Sequence, residues 1–268
     1  MLYQHWIQKP PLGVQINWAR APRGLLGFWL LNERDGNVIY DLSGNGYKGT
    51  LTNMAFPSTS TSGWNVGPDG SAIAFDASDD YILNTQIPKE SLQGDFTIVV
   101  RAKADITSGI SSALCGTRSS QDSGWAAKAE QWNDTGKVGF TYYGVADYTT
   151  NIATPTDWAT FGFVHRTADG KVDVYVDGEH EELSIGSLNT SGMYDGLVLG
   201  ASYRNEEFLN YLDGAISYAC LFQRALTAEE VWVFTRRPYA MLDWPLPFSV
   251  AVAGIPMQMM HYARMRSN

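Results

Sequence analysis

The stretch KVDVYVDGEHEEL (Lys171–Leu183) decides the fold class. Lys171–Val176 reads as a strand, Asp177-Gly178 as a two-residue turn, and Glu179–Leu183 as the returning strand. Working outward, the same punctuation recurs. Phe96–Ala104 places Phe96, Ile98 and Val100 on one face and Thr97, Val99 and Arg101 on the other, the period of a half-buried strand. Leu25–Leu31, Asn37–Asp41, Ser71–Phe75, Tyr81–Leu83, Lys137–Tyr143, Trp158–Arg166, Leu197–Gly200 and Leu212–Phe222 are further strand segments between glycine-rich turns. About a dozen short strands predict an all-β sandwich or barrel, with a two-sheet antiparallel β-sandwich as the first reading. One helix is expected after Thr227, which with Glu230 forms a capping box before Val231, Trp232 and Phe234. It should end near Arg236–Pro238.

Composition narrows the function. A chain of 268 residues suits one large sandwich. Cys115 and Cys220 are the only cysteines and lie in apolar stretches, so both read as buried hydrophobes and neither a disulfide scaffold nor a zinc site is expected. MLYQHWIQKPPLG (Met1–Gly13) has no basic segment followed by an apolar one, so a chain made without an export signal is expected. The longest apolar run, Ser249–Met260, is too short to cross a bilayer and is broken by Gly254 and Pro256, so no membrane insertion is expected. Net charge is −9 but uneven. Residues 1–23 carry Lys9, Arg20 and Arg23 with no acid; residues 236–268 carry four arginines against Asp243. The acidic body between them argues against nucleic acid as a partner, because a phosphate-binding face needs clustered Lys and Arg.

Four segments in order resemble the concanavalin A-like lectin/glucanase superfamily in its laminin-G-like form. They are GLLGFWLLNERDGNVIYDLSGNGYKGTL (Gly24–Leu51), SAIAFDASDDYI (Ser71–Ile82) with GDFTIVVRAKA (Gly94–Ala104), DWATFGFVHRTADGKVDVYVDGE (Asp157–Glu179) and YLDGAISYACLFQRALTAEEV (Tyr211–Val231). The resemblance implies a jelly-roll domain over residues 24–235, flanked by extended arms over 1–23 and 236–268. It implies little about function, since this fold hosts lectins, glycosidases and structural modules. The flanks KPPLGVQINWARAPRGLLGFW (Lys9–Trp29) and RRPYAMLDW (Arg236–Trp244) resemble laminin-G-like proteins of tailed bacteriophages, which implies a virion component.

The resemblance also implies a calcium between two edge loops. Asp41 and Asn45, in the turn Asp41–Gly46, match one half of that site; the partner strand offers Ser217-Tyr218 where acids are usual. Asp41 and Asn45 could equally hydrogen-bond their own turn. The acidic loop Asp76–Asp80 reads as a strand-connecting turn. Sugar binding needs an exposed aromatic face beside polar groups, and Trp125, Trp132, Tyr143 and Tyr148 form the best cluster, while Trp29 and Trp158 read as core. For catalysis, a retaining glycosidase needs two carboxylates about 5–5.5 Å apart, and none of Glu130–Asp134, Glu179–Glu182 or Glu206-Glu207 has the apolar strand setting that an acid requires. His165 reads as a packed residue, and the glycines of Gly44–Gly49 as turn glycines. The chain is therefore expected to be non-catalytic.

The arms complete the expectation. Irregular termini are ordered only when tied down, so Trp6, Trp18, Arg236, Arg237, Tyr239 and Trp244 are expected to anchor them against the acidic body, sister copies or a larger assembly. The first reading is a virion protein, a capsid decoration or fibre-type component made in the host cytoplasm, with other virion proteins as partners and its outer loops on cell-surface glycans. A free carbohydrate-binding module is the alternative, and a glycoside hydrolase of the same fold the third.

Overall fold

A computed structural model describes residues 9–105, 111–133 and 135–243; Trp6 and Trp244 lie outside them. Chain order runs β1 (Gln15–Ile16), β2 (Leu25–Trp29), β3 (Val38–Ile39), β4 (Gly49–Thr52), β5 (Gly63–Gly67), β6 (Gly70–Asp76) and β7 (Tyr81–Asn84). After a 3-10 turn at Lys89–Leu92 come β8 (Phe96–Ala104), β9 (Ser112–Ser119), β10 (Trp125–Glu130), β11 (Lys137–Tyr142), β12 (Ala146–Ala153) and β13 (Ala159–Arg166). The last third holds β14 (Lys171–Val176), β15 (Glu179–Ser184), β16 (Met193–Leu199), β17 (Ser202–Arg204), β18 (Glu207–Leu209) and β19 (Asp213–Phe222). The helix α1 (Ala228–Arg236) and β20 (Leu242–Asp243) follow.

Two eight-stranded antiparallel sheets face each other. The front sheet has the order β12-β11-β10-β9-β16-β7-β4-β3. The back sheet has the order β15-β14-β13-β8-β19-β6-β5, and β2 also pairs with β19. Strand alternation decides which residues fill the space between them. Ile98 and Val100 of β8, Phe161 and Phe163 of β13, and Ala219 and Leu221 of β19 point inward from the back sheet. Trp125, Ala127 and Ala129 of β10 and Val138, Phe140 and Tyr142 of β11 meet them from the front. Each large apolar side chain sealed this way contributes about 1.5–3 kcal/mol.

The hairpin at Asp177-Gly178 forms as its sequence requires, with φ of 47° and 97° at the two turn residues. The capping box also forms: the Thr227 hydroxyl accepts from Glu230 N, and the Glu230 carboxylate accepts from Thr227 N. His165 is packed as read, stacked on Phe96 with its ring bonded to Gly94 O and the Tyr142 hydroxyl; burial lowers its pKa. Cys115 and Cys220 are free and buried. Trp158 differs from its reading. It precedes β13 and is only half-buried, because Asp157 turns the chain there and accepts from Trp158 N.

The outer face of the back sheet carries a second apolar layer. Val99, Val164, Tyr218, Cys220 and Phe222, the alternate residues of β8, β13 and β19, pack under Val231 and Phe234 of α1 and under both chain flanks. The flanks pair with each other: Gln15 and Ile16 of β1 oppose Asp243 and Leu242 of β20. Lys9 is threaded inside, donating to Leu31 O (3.1 Å), Ser217 O (2.5 Å) and Ser71 O. Burial pushes its ammonium down to about 7, against the opposite pull of Asp69. Asp69 in turn accepts from the Ser217 hydroxyl and the Tyr239 hydroxyl. Tyr239 is buried and locks the C-terminal flank to the body of its own chain. Arg236 ends α1 and stacks on Trp232, and Arg237 is the helix C-cap, so both belong to the helix rather than to a free arm. Trp18 remains 62% exposed.

Candidate functional site

The outer face of the front sheet holds a groove of about 540 Å³. Its floor follows from strand parity. Lys128 of β10 and Thr141 of β11 point away from the core because their neighbours Ala127, Ala129, Phe140 and Tyr142 point into it. Thr141 opposes Asp147 of β12 in register and donates to its Oδ1 at 2.5 Å. The short hairpin β17–β18 builds the opposite wall. Ser202 and Gly116 lie in close contact there, and β9 runs beneath the hairpin. That wall presents Arg204, Leu209 and Asn210.

The polar groups are held in pairs. Arg204 Nη1 donates to Asp122 Oδ1 at 2.6 Å, and its guanidinium lies 5.0 Å from the centre of the Tyr143 ring. Asn210 Nδ2 donates to Ser202 Oγ (3.0 Å) and to the Tyr143 hydroxyl (3.4 Å). Lys128 Nζ stands 6.0 Å from the same ring. Lys128 is 2% exposed. Burial pushes its pKa down to about 8, partly countered by Asp147. Burial likewise raises the Tyr143 hydroxyl to about 12, so it stays a neutral donor and acceptor. Trp132 stands on the rim at 54% exposure. Its backbone N–H donates to Gln131 Oε1, and Gln131 is fixed by Phe140 O, Thr141 Oγ1 and Tyr148 O.

Of the four aromatic residues expected to hold a sugar, the structure brings two to this groove, Trp132 and Tyr143. Trp125 is corrected. It has no exposed surface, its ring is stacked 4.5 Å from Phe96 and 5.7 Å from Phe140, and its Nε1 donates to Leu92 O at 2.9 Å. Tyr148 is corrected too. It opposes Phe140 in register and so faces the core side, edge-on to Tyr142, with its hydroxyl accepting from Gly186 N. Sequence reasoning missed Asp122, Lys128, Thr141, Asp147, Arg204 and Asn210. One signal was present: Lys128 is a lone cation among Ala126, Ala127 and Ala129 in a segment too small-sided to show strand periodicity.

The expected calcium half-site does not fit its residues. Asp41 Oδ1 accepts from Phe28 N and Ser43 N, and Oδ2 from Ser43 Oγ and Tyr47 N, which fills the four lone-pair directions of a carboxylate. Asn45 Nδ2 donates to Leu26 O. Ser217 is bound to Asp69, and the Tyr218 hydroxyl donates to Phe234 O. Asp41 and Asn45 organise a turn.

The Concanavalin A-like lectin/glucanases superfamily, in its laminin-G form, matches residues 76–232. The chain belongs to this superfamily. None of the curated proteins matches this concanavalin A-like chain. Among solved structures it is similar to domain 4 of AbnA, a GH43 extracellular arabinanase from Geobacillus stearothermophilus in complex with arabinotriose. Identity is 15% and TM-score 0.58, over 83% of this chain and 98% of that one. It is also similar to a sialidase of Trypanosoma rangeli (16% identity, TM-score 0.56, 81% of this chain). The concanavalin A-like chain spans about a third of that enzyme, 33% of its length. A third similarity is to botulinum neurotoxin type C, whose cell entry depends on two ganglioside molecules (10% identity, TM-score 0.56, 79% of this chain and 50% of that one). At these identities the likeness is one of fold. No helix among the described residues is long and apolar enough to cross a membrane.

Proposed function

We propose that the chain is a non-catalytic glycan-binding module whose site is the front-sheet groove. One observation carries this reading: an exposed indole, Trp132, shares a concave surface with fixed donors and acceptors on Lys128, Thr141, Asp147, Arg204 and Asn210. A sugar ring needs both, an aromatic face for its C–H surface and polar groups for its hydroxyls. Thr141 with Asp147, Arg204 with Asp122 and Asn210 with Ser202 are pre-paired, so ligand hydroxyls would insert among ordered partners at little entropic cost. The arabinotriose complex of the AbnA domain supports the reading for this fold. The groove's carboxylates lack the dry, apolar setting of a glycosidase acid: Asp147 is exposed, and the Asp122 side chain is 45% exposed and paired with Arg204. The test is a glycan array followed by calorimetry with arabinotriose and sialic acid as first probes. Binding that falls at least about tenfold in Trp132→Ala, the loss of one good contact of about 1.4 kcal/mol, is expected. A blank array, or affinity unchanged in both Trp132→Ala and Lys128→Met, overturns the reading. Release of reducing sugar from a β-glucan overturns its non-catalytic part.

An assembly role, as a virion component carried by its flank face, is a second reading supported by one feature. Trp18, 62% exposed, and Trp232, 51% exposed, lie with the flanks and α1 on the outer face of the back sheet. That is the side of the sandwich opposite the groove, so a chain held there would present the groove outward. Co-purification of the full chain with virions, lost in the Trp18→Ser/Trp232→Ser double variant, is expected; a protein absent from particles excludes this role.

A further inference from the structure

We propose that Asp76, Asp79 and Asp80, at the β6–β7 turn, form a binding site for a hard divalent cation, calcium by preference. Carboxylate oxygens of the three lie within 4.8 Å of one another. Proximity alone would suit a solvated turn. The deciding observation is Asp80: its side chain has no exposed surface, and its Oδ1 has no hydrogen-bond partner. A buried carboxylate oxygen without a donor is costly and asks for a ligand. Asp41, at another turn of the same sandwich, shows what a purely structural carboxylate does, with four donors on its two oxygens. At Asp80, Oδ2 accepts from Asp76 N at 3.2 Å and Ser62 also hydrogen-bonds the carboxylate, yet Oδ1 has no donor.

The rest of the cluster fits the same ligand. Asp76 Oδ1 accepts from Ser78 N and Asp79 N, which holds its carboxylate in place. Asp79 is exposed, and its carbonyl is fixed by Asn53 Nδ2, so solvent and an entering ion reach the cluster from its side. Asp213 opposes Asp76 across the β6–β19 ladder and adds negative charge nearby. Calcium takes six to eight oxygens in flexible geometry and tolerates water among them, which suits three carboxylates on a surface turn; magnesium demands stricter geometry. Burial raises the Asp80 pKa, in the direction that a bound cation would reverse.

The test uses the full chain and calcium chloride alone. Calorimetry and thermal melting should show saturable binding in the range of about 0.1–1 mM expected for extracellular-type modules, with a rise in melting temperature and weaker binding of magnesium. Asp79→Asn, exposed and therefore safe for folding, should weaken calcium binding at least about tenfold, while the distant Glu179→Gln leaves it unchanged. Circular dichroism verifies that each variant is folded, and Asp76→Asn repeats the measurement should Asp79→Asn fail that check. No heat and no melting shift up to about 5 mM calcium, above the weakest module affinities, overturns the site. So does binding that persists in both Asp79→Asn and Asp76→Asn.

Discussion

Replacing Lys128 with Met should make the folded chain more stable while emptying the groove of its central donor. Lys128 is almost fully buried, and its pKa falls from 10.5 to about 8 because burial penalises the ammonium more than Asp147 relieves it. At about 1.4 kcal/mol per pH unit, the fold carries a penalty of about 3 kcal/mol for keeping this group charged. Met keeps the unbranched stem and removes the charge. The unfolded chain holds the proton up to about 10.5, whereas the folded chain releases it near 8. The penalty is therefore complete below pH 8 and fades as pH rises towards 10.5. Calorimetric melting should place Lys128→Met above wild type by roughly 6–12 °C at pH 6.5, given about 2–4 °C per kcal/mol for a domain of this size. The gap should narrow by pH 9.5. In the same samples glycan affinity should drop about 10- to 150-fold, the worth of a charge-assisted hydrogen bond of roughly 1.5–3 kcal/mol, and wild-type affinity should decline as pH passes about 8. A Met variant that melts below wild type at pH 6.5, or a gap independent of pH, would refute the reasoning.

Other outcomes follow from single contacts. Trp125→Ala should cost about 3–5 kcal/mol by opening a core cavity between Phe96 and Phe140, whereas Trp132→Ala should change denaturant stability by less than about 0.5 kcal/mol; equal effects would contradict the assigned orientations. Tyr239→Phe removes a donor from buried Asp69 and should cost about 1.5–3 kcal/mol, with faster amide exchange at Ile16 and Leu242 as the signature that the flanks loosen. Thr227→Ala should cost about 1 kcal/mol through loss of the α1 cap, read by urea denaturation; no change would mean that packing of Val231 and Phe234 alone holds the helix.

Much of the architecture was legible because local chemistry forces it. Asp177-Gly178 tolerates positive φ at both positions and so made its hairpin readable. Thr227 and Glu230 made the helix start readable. The segment Ser112–Glu130 was not readable: half of the residues of β9 and β10 are Ser, Ala or Gly, whose small side chains blur the apolar period, although both strands cross the middle of the front sheet. This is also why Trp125 misled. Beside Gly124 and Ser123 it looked like a loop residue, yet the parity of β10 turns it into the core and turns Lys128 out.

Sequence alone determined the all-β class and the capped helix, because period and turn chemistry are local properties. Only the tertiary structure decided which aromatics reach solvent, that Asp41 is consumed by its own turn while Asp80 keeps one buried oxygen without a donor, and that the basic flanks pair with each other over the back sheet. Each of these depends on which strands become neighbours. Register places Asp147 beside Thr141 and Tyr239 against Asp69 across 170 residues of chain, and no local pattern encodes such a meeting.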